Sequence, residues 1–106
     1  GDYFSKKYME RWFSIMRANP NIKFYSYTNS VLLMKQYSGG MPDNYDFILS
    51  TDGKQREHVD KSTDRHAVVF ETLEKLESAG YVNASDNDLL ATRWYSDNIK
   101  VGLIKH

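Results

Sequence analysis

Between residues 22 and 37 the chain changes rhythm once, and that change restricts the folds open to it. Ile22, Phe24 and Ser26 alternate with Lys23, Tyr25 and Tyr27, a period of two whose aromatic content suits a pleated, half-buried strand. Thr28, Asn29 and Ser30 then offer side-chain oxygens where a helical pattern, SVLLMKQY over 30–37, begins. A strand that turns directly into a helix is the repeating unit of α/β proteins, whose ligands sit beyond the carboxyl ends of the strands. The turn at Thr28, Asn29 and Ser30 is therefore the first candidate site.

The same alternation runs through the rest of the chain. Residues 5–18 carry Tyr8, Met9, Trp12, Phe13 and Met16, preceded by Phe4, at spacings that build a broad apolar stripe. Ser5 is its expected N-cap, Asn19-Pro20-Asn21 its break, and core its simplest role. After a loop from Ser38 to Asn44, Tyr45 to Thr51 reads as a second strand closed by Asp52-Gly53. The charged, aperiodic 54–66 reads as an exposed loop, and Ala67 to Phe70 as a short strand. Residues 72–79 read as a helix capped by Thr72, with Leu73 and Leu76 inward and Gly80 as its stop. Tyr81-Val82 is a fragment of strand, and 83–88 a polar loop before a short turn or helix at 88–94. Residues 99–105 form a last strand with Val101 and Leu103 on one face. This order predicts an α/β fold, a small and mostly parallel sheet with helices packed against it, in one domain over 1–106.

Composition narrows the function classes. The 106 residues hold 14 basic and 14 acidic side chains, a net charge of zero. A nucleic-acid binder draws its affinity from surplus Lys and Arg, so this balance argues against nucleic acid as a partner. Neutrality also lowers the electrostatic barrier to self-association, which favours a homo-oligomer. With no cysteine, the chain has no disulfide, thiolate nucleophile or cysteine-held cluster. No apolar run has the length of a membrane span and residues from Gly1 onward do not read as a signal peptide, so a cytoplasmic, membrane-free protein is expected. The chain opens with Gly1 rather than methionine, which suggests a processed chain or a piece of a longer one.

His58-Val59-Asp60 and Asp64-Arg65-His66 are the residues best suited to a divalent metal. Each His and Asp are two apart, so on extended backbone both side chains share a face, and the set could hold zinc, manganese or iron. The plainer reading is a solvated loop of ordinary ion pairs, with no cofactor. Asp60, Ser62, Asp64 and Glu71 also match part of a calcium-loop pattern, but Arg65 stands where its turn needs glycine. Asp2 is the second candidate. Were it also to follow a strand, its carboxylate would join Thr28, Asn29 and Ser30 at one sheet edge as a ligand-binding group, against the plainer role of capping. Tyr25, Tyr27, Tyr37, Tyr45, Trp94 and Tyr95 could stack on bases, though core or subunit interface suits them better.

Gly1-Asp2-Tyr3-Phe4-Ser5, Tyr8, Trp12, Ile15, Asn19-Pro20, Phe24 to Ser30, His66 to Glu71, Ala79 to Val82 and Val101 to His106 together resemble a phage-encoded family, the gene product 88-like proteins. The resemblance implies that relatives extend upstream of Gly1 and carry cysteines there. It also implies that this chain is the C-terminal portion, a truncated piece of a larger, barrel-like α/β domain. A metal-cluster or radical-type enzyme is implied for the longer chains, and no residue here can inherit that role. Asp2, Thr28, Asn29, Ser30 and His66 alone match its recurring polar positions. The expected function is a phage-type, non-catalytic domain that self-associates or binds a partner. The alternatives are part of a metal-dependent enzyme, with its site at the strand C-terminal ends, and a nucleic-acid-binding phage protein.

Overall fold

The computed structural model describes residues 6–37 and 40–105. Helix α1 spans Lys6–Ala18, strand β1 Phe24–Thr28, helix α2 Val31–Tyr37 and strand β2 Tyr45–Ser50. Strand β3 spans His66–Phe70, helix α3 Leu73–Ser78, strand β4 Val82–Asn83 and strand β5 Lys100–Ile104. Single 3₁₀ turns at Arg56–His58 and Asp88–Ala91 interrupt the longer connections. The five strands form one sheet in the order β1-β2-β3-β5-β4, and each pairing is parallel. The expected α/β class and parallel sheet are both present.

A parallel sheet buries both faces, and here the faces divide the core. On one, Met9, Phe13 and Met16 of α1 and Val31 and Met34 of α2 pack on Tyr45 and Leu49. On the other, Ile48, Ala67 and Val101 pack against Ala84 and Ala91. Adjacent residues Ile48 and Leu49 thus serve opposite layers, as the period of two requires. Asn44 fixes α1 over β1 and β2. Its amide nitrogen is shared among the carbonyls of Met16, Asn19 and Ile22 at 2.9, 3.0 and 2.8 Å.

Helix α3 reaches the sheet because Gly102 lacks a side chain. A Cβ there would stand 2.5 Å from Cδ1 of Leu76, the fully buried residue of α3. Thr72 caps α3 as expected, its hydroxyl accepting from the Lys75 N–H at 3.2 Å.

Several boundaries differ from the sequence reading. Leu73 was expected inward but is 45% exposed, because a helix of six residues buries one position, Leu76. Strand β1 starts at Phe24, leaving Ile22 exposed in the preceding turn. The stretch 54–66 is not wholly an exposed loop: it holds a 3₁₀ turn, and its last residue, His66, is the fully buried start of β3. β4 lies one residue later than expected, at Val82–Asn83. Phe4 and the Ser5 cap fall outside the described residues. No helix among those described is long and apolar enough to cross a membrane.

Candidate functional site

Because every strand runs the same way, the C-terminal strand ends share one edge of the sheet, and the predicted turn lies there. Thr28 closes β1 fully buried, and its hydroxyl accepts from the Ser30 N–H at 3.0 Å. Ser30 C=O accepts from the Met34 N–H at 3.1 Å, starting α2. The Asn29 side chain lies against Gly53, where a Cβ would come within 2.5 Å of its Oδ1. The Leu32 N–H donates to Gln55 Oε1 at 3.0 Å. The turns that follow β1 and β2 therefore interlock. Asp2 lies outside the described residues.

The four proposed metal ligands are dispersed in role. His58 is exposed in its 3₁₀ turn, 3.8 Å from Glu57. Asp60 accepts from the Ser62 hydroxyl and N–H at 2.6 and 3.0 Å. Those bonds, with Thr63 and the charge of Lys35 adding to them, hold its carboxyl below the usual value. Asp64 accepts from the Asp60 N–H at 2.8 Å and pairs with Lys35 at 2.8 Å. His66 meets Asp64 through the carbonyl rather than the carboxylate, at 2.8 Å from Nδ1, and its Nε2 lies 2.9 Å from the Tyr81 hydroxyl. Asp60 and Asp64 are thus brought together and the two histidines are not. Among the described residues no group of three or more His, Asp or Glu side chains could hold a metal ion.

The most strongly charged buried cluster escaped the sequence reading. Asp46 on β2 is 5% exposed. It accepts from the Arg93 N–H at 2.8 Å and from Arg93 Nη1 at 3.2 Å, with Arg65 Nε at 3.8 Å. Arg65 also donates to the carbonyls of Ala91, Ser96 and Asn98 at 2.9, 2.7 and 3.1 Å, so it stitches the 91–98 segment to the sheet. Burial lowers the Arg65 pKa against the opposing pull of Asp46. A lone charged residue inside YDFILS was the available signal.

At the other side of the sheet, β1 is paired only with β2 among the described residues. The Phe24 N–H donates to Asn44 O at 2.7 Å, toward β2. Main-chain groups alternate direction along a strand, so those of Ser26 and Thr28 also face β2 and those of Tyr25 and Tyr27 face outward. An apolar groove of about 190 Å³ runs beside this edge, walled by Trp12, Phe13, Phe24, Tyr25 and Tyr45. Tyr8, Trp12 and Ile15 form a second stripe on α1 next to the buried one, with Tyr8 and Ile15 about 40% exposed. Below the sheet Lys23 Nζ sits over the rings of Trp94 and Tyr95, 5.5 and 5.6 Å from their centroids. The edge is therefore flanked by apolar and aromatic surface on both faces.

A family model described as Gene product 88 matches residues 1–106, the whole chain. No curated protein and no solved structure matches it.

Proposed function

The chain belongs to the gene product 88 family, and we propose that it is a non-catalytic, cytoplasmic interaction domain of phage type that docks polypeptide along its β1 edge. The observation that carries this is the outward-facing main chain of Tyr25 and Tyr27 beside the groove walled by Trp12 and Phe24. Unpaired N–H and C=O groups template another strand, and the apolar flanks take its alternate side chains. Charge agrees with this reading. Lys23 and Arg93 are spent on aromatic rings and on Asp46 rather than presented as a phosphate-binding surface.

The rival, an enzyme site at the strand C-terminal ends, has less support. The hydroxyls of Thr28, Thr51 and Ser85 at that edge are bonded to main-chain groups at 3.0, 2.9 and 2.6 Å.

The test uses a fluorescein-labelled peptide of residues 22–30 as strand probe. Saturable binding is expected, read by polarisation, together with slowed amide exchange at Tyr25 and Tyr27. No binding, with those amides exchanging freely at every protein and peptide concentration, would overturn the reading.

A further inference from the structure

Resting on that reading, we infer that the occupant of the β1 edge is a second copy of this chain, its β1 antiparallel to the first about a two-fold axis at Ser26. The backbone sets the register. With Tyr25 opposite the copy's Tyr27, and Tyr27 opposite its Tyr25, the outward N–H and C=O groups of both residues pair, and Ser26 faces Ser26. No other antiparallel register within this five-residue strand pairs both outward residues of each copy.

Side chains suit the same register. Tyr25 and Tyr27 share a face of β1, so each is brought beside the other residue of the copy as an aromatic cross-strand pair. On the opposite face the helix spacing follows from the sheet. α1 lies over the seam of β1 and β2, since its buried side chains cluster with Phe24, Tyr45 and Leu49. Strands are spaced about 4.8 Å apart, so α1 stands roughly 5 Å from the axis and about 10 Å from its copy. That matches the 8–10 Å or so at which helices pack. Trp12 and Ile15 then fill the space between the two helices, and the antiparallel helices set opposite dipole ends together. The net charge of zero imposes no repulsion.

A chain without cysteine makes the test direct. Opposed residues at a site without main-chain hydrogen bonds have Cα atoms about 4.5 Å apart, within disulfide reach. Under mild oxidation Ser26→Cys is expected to give a disulfide-linked dimer, and the remote, exposed Ser62→Cys none. Because Ser26 Oγ is 2.5 Å from the Tyr45 hydroxyl, a second variant is needed. Tyr25→Pro removes one outward N–H and leaves the ladder to β2 intact. Light scattering should give twice the chain mass for the wild type and for Tyr25→Val, and the chain mass for Tyr25→Pro. A wild-type monomer at millimolar concentration overturns the inference, as does a dimer that survives Tyr25→Pro and leaves Ser26→Cys uncrosslinked. A monomer that still binds the 22–30 peptide sinks the two-fold and leaves the docking reading standing; a monomer that does not bind it sinks both.

Discussion

His66 Nε2 lies 2.9 Å from the Tyr81 hydroxyl, while its Nδ1 lies 2.8 Å from the Asp64 carbonyl. A carbonyl only accepts, so Nδ1 carries the proton and Nε2 accepts from the Tyr81 O–H. The bond joins the first residue of β3 to the residue before β4, across the strand that separates them. Tyr81→Phe keeps the ring against Phe70, 5.1 Å between centroids, but leaves a buried acceptor unpaired. Urea unfolding should show a loss of about 1–3 kcal/mol. An unchanged midpoint would mean that Nε2 finds another donor.

Gly102→Ala tests the seat of α3. The new methyl would overlap the Leu76 side chain, so Leu76 or its helix must shift, at a cost of about 1–3 kcal/mol. Leu76→Ala alone should cost about 2–5 kcal/mol as a buried cavity. The double variant is expected to be more stable than the sum of the two, since one methyl occupies part of the other's void. Strict additivity would place the clash elsewhere.

Asp46→Ala strips both arginines of their buried carboxylate. The expected loss is about 3–5 kcal/mol by thermal or urea unfolding. Arg93→Ala should cost less, because the Arg93 side chain is 46% exposed. Equal losses would show that the 91–98 segment depends on Arg93 rather than on Asp46.

Tyr27 predicts the alkaline limit of stability. Its hydroxyl oxygen is buried without a hydrogen-bond partner among the described residues, and burial, with Asp88 and Tyr25 adding to it, raises its pKa from 10.0 to about 12. A raised folded pKa stabilises the fold fully below the unfolded value and loses that contribution as pH rises through the folded one. Unfolding free energy should therefore be insensitive to Tyr27 below pH 10 and fall between about 10 and 12. Tyr27→Phe should flatten that fall and leave stability at neutral pH equal or higher. A less stable Tyr27→Phe at pH 7 would reveal a bond partner for the hydroxyl.

The helices and strands were legible from local pattern, because each needs only its own periodicity and its caps. Thr72 could be named as a cap from spacing alone, whereas the stripe read as core joined the buried Met9, Phe13 and Met16 to Tyr8, which is 41% exposed. What required the fold was every relation across long sequence separation. Asp46 and Arg93 stand 47 residues apart, and nothing near either announces the other. His66 reads as the end of a charged loop until β5 beside it is known to bury it. The same holds for the site candidates. Thr28, Asn29 and Ser30 were placed correctly at a strand end, but only the packing of Gly53 on Asn29 shows that this turn is closed by its neighbour.

The two stripes of α1 give the sharpest separation between folding and docking. Met9 is 1% exposed in the core, so Met9→Ala should cost about 2–5 kcal/mol at any protein concentration. Ile15 is 40% exposed on the same helix, so Ile15→Ser should leave the isolated domain within about 0.5 kcal/mol of the wild type. Association adds a concentration-dependent stability, because only the folded chain pairs. Urea midpoints of the wild type should therefore rise with protein concentration, those of Met9→Ala should rise in parallel from a lower start, and those of Ile15→Ser should rise less or stay flat. The comparison needs no knowledge of the partner strand. If Ile15→Ser tracks the wild type at all concentrations, the outer stripe is solvent surface and α1 takes no part in docking.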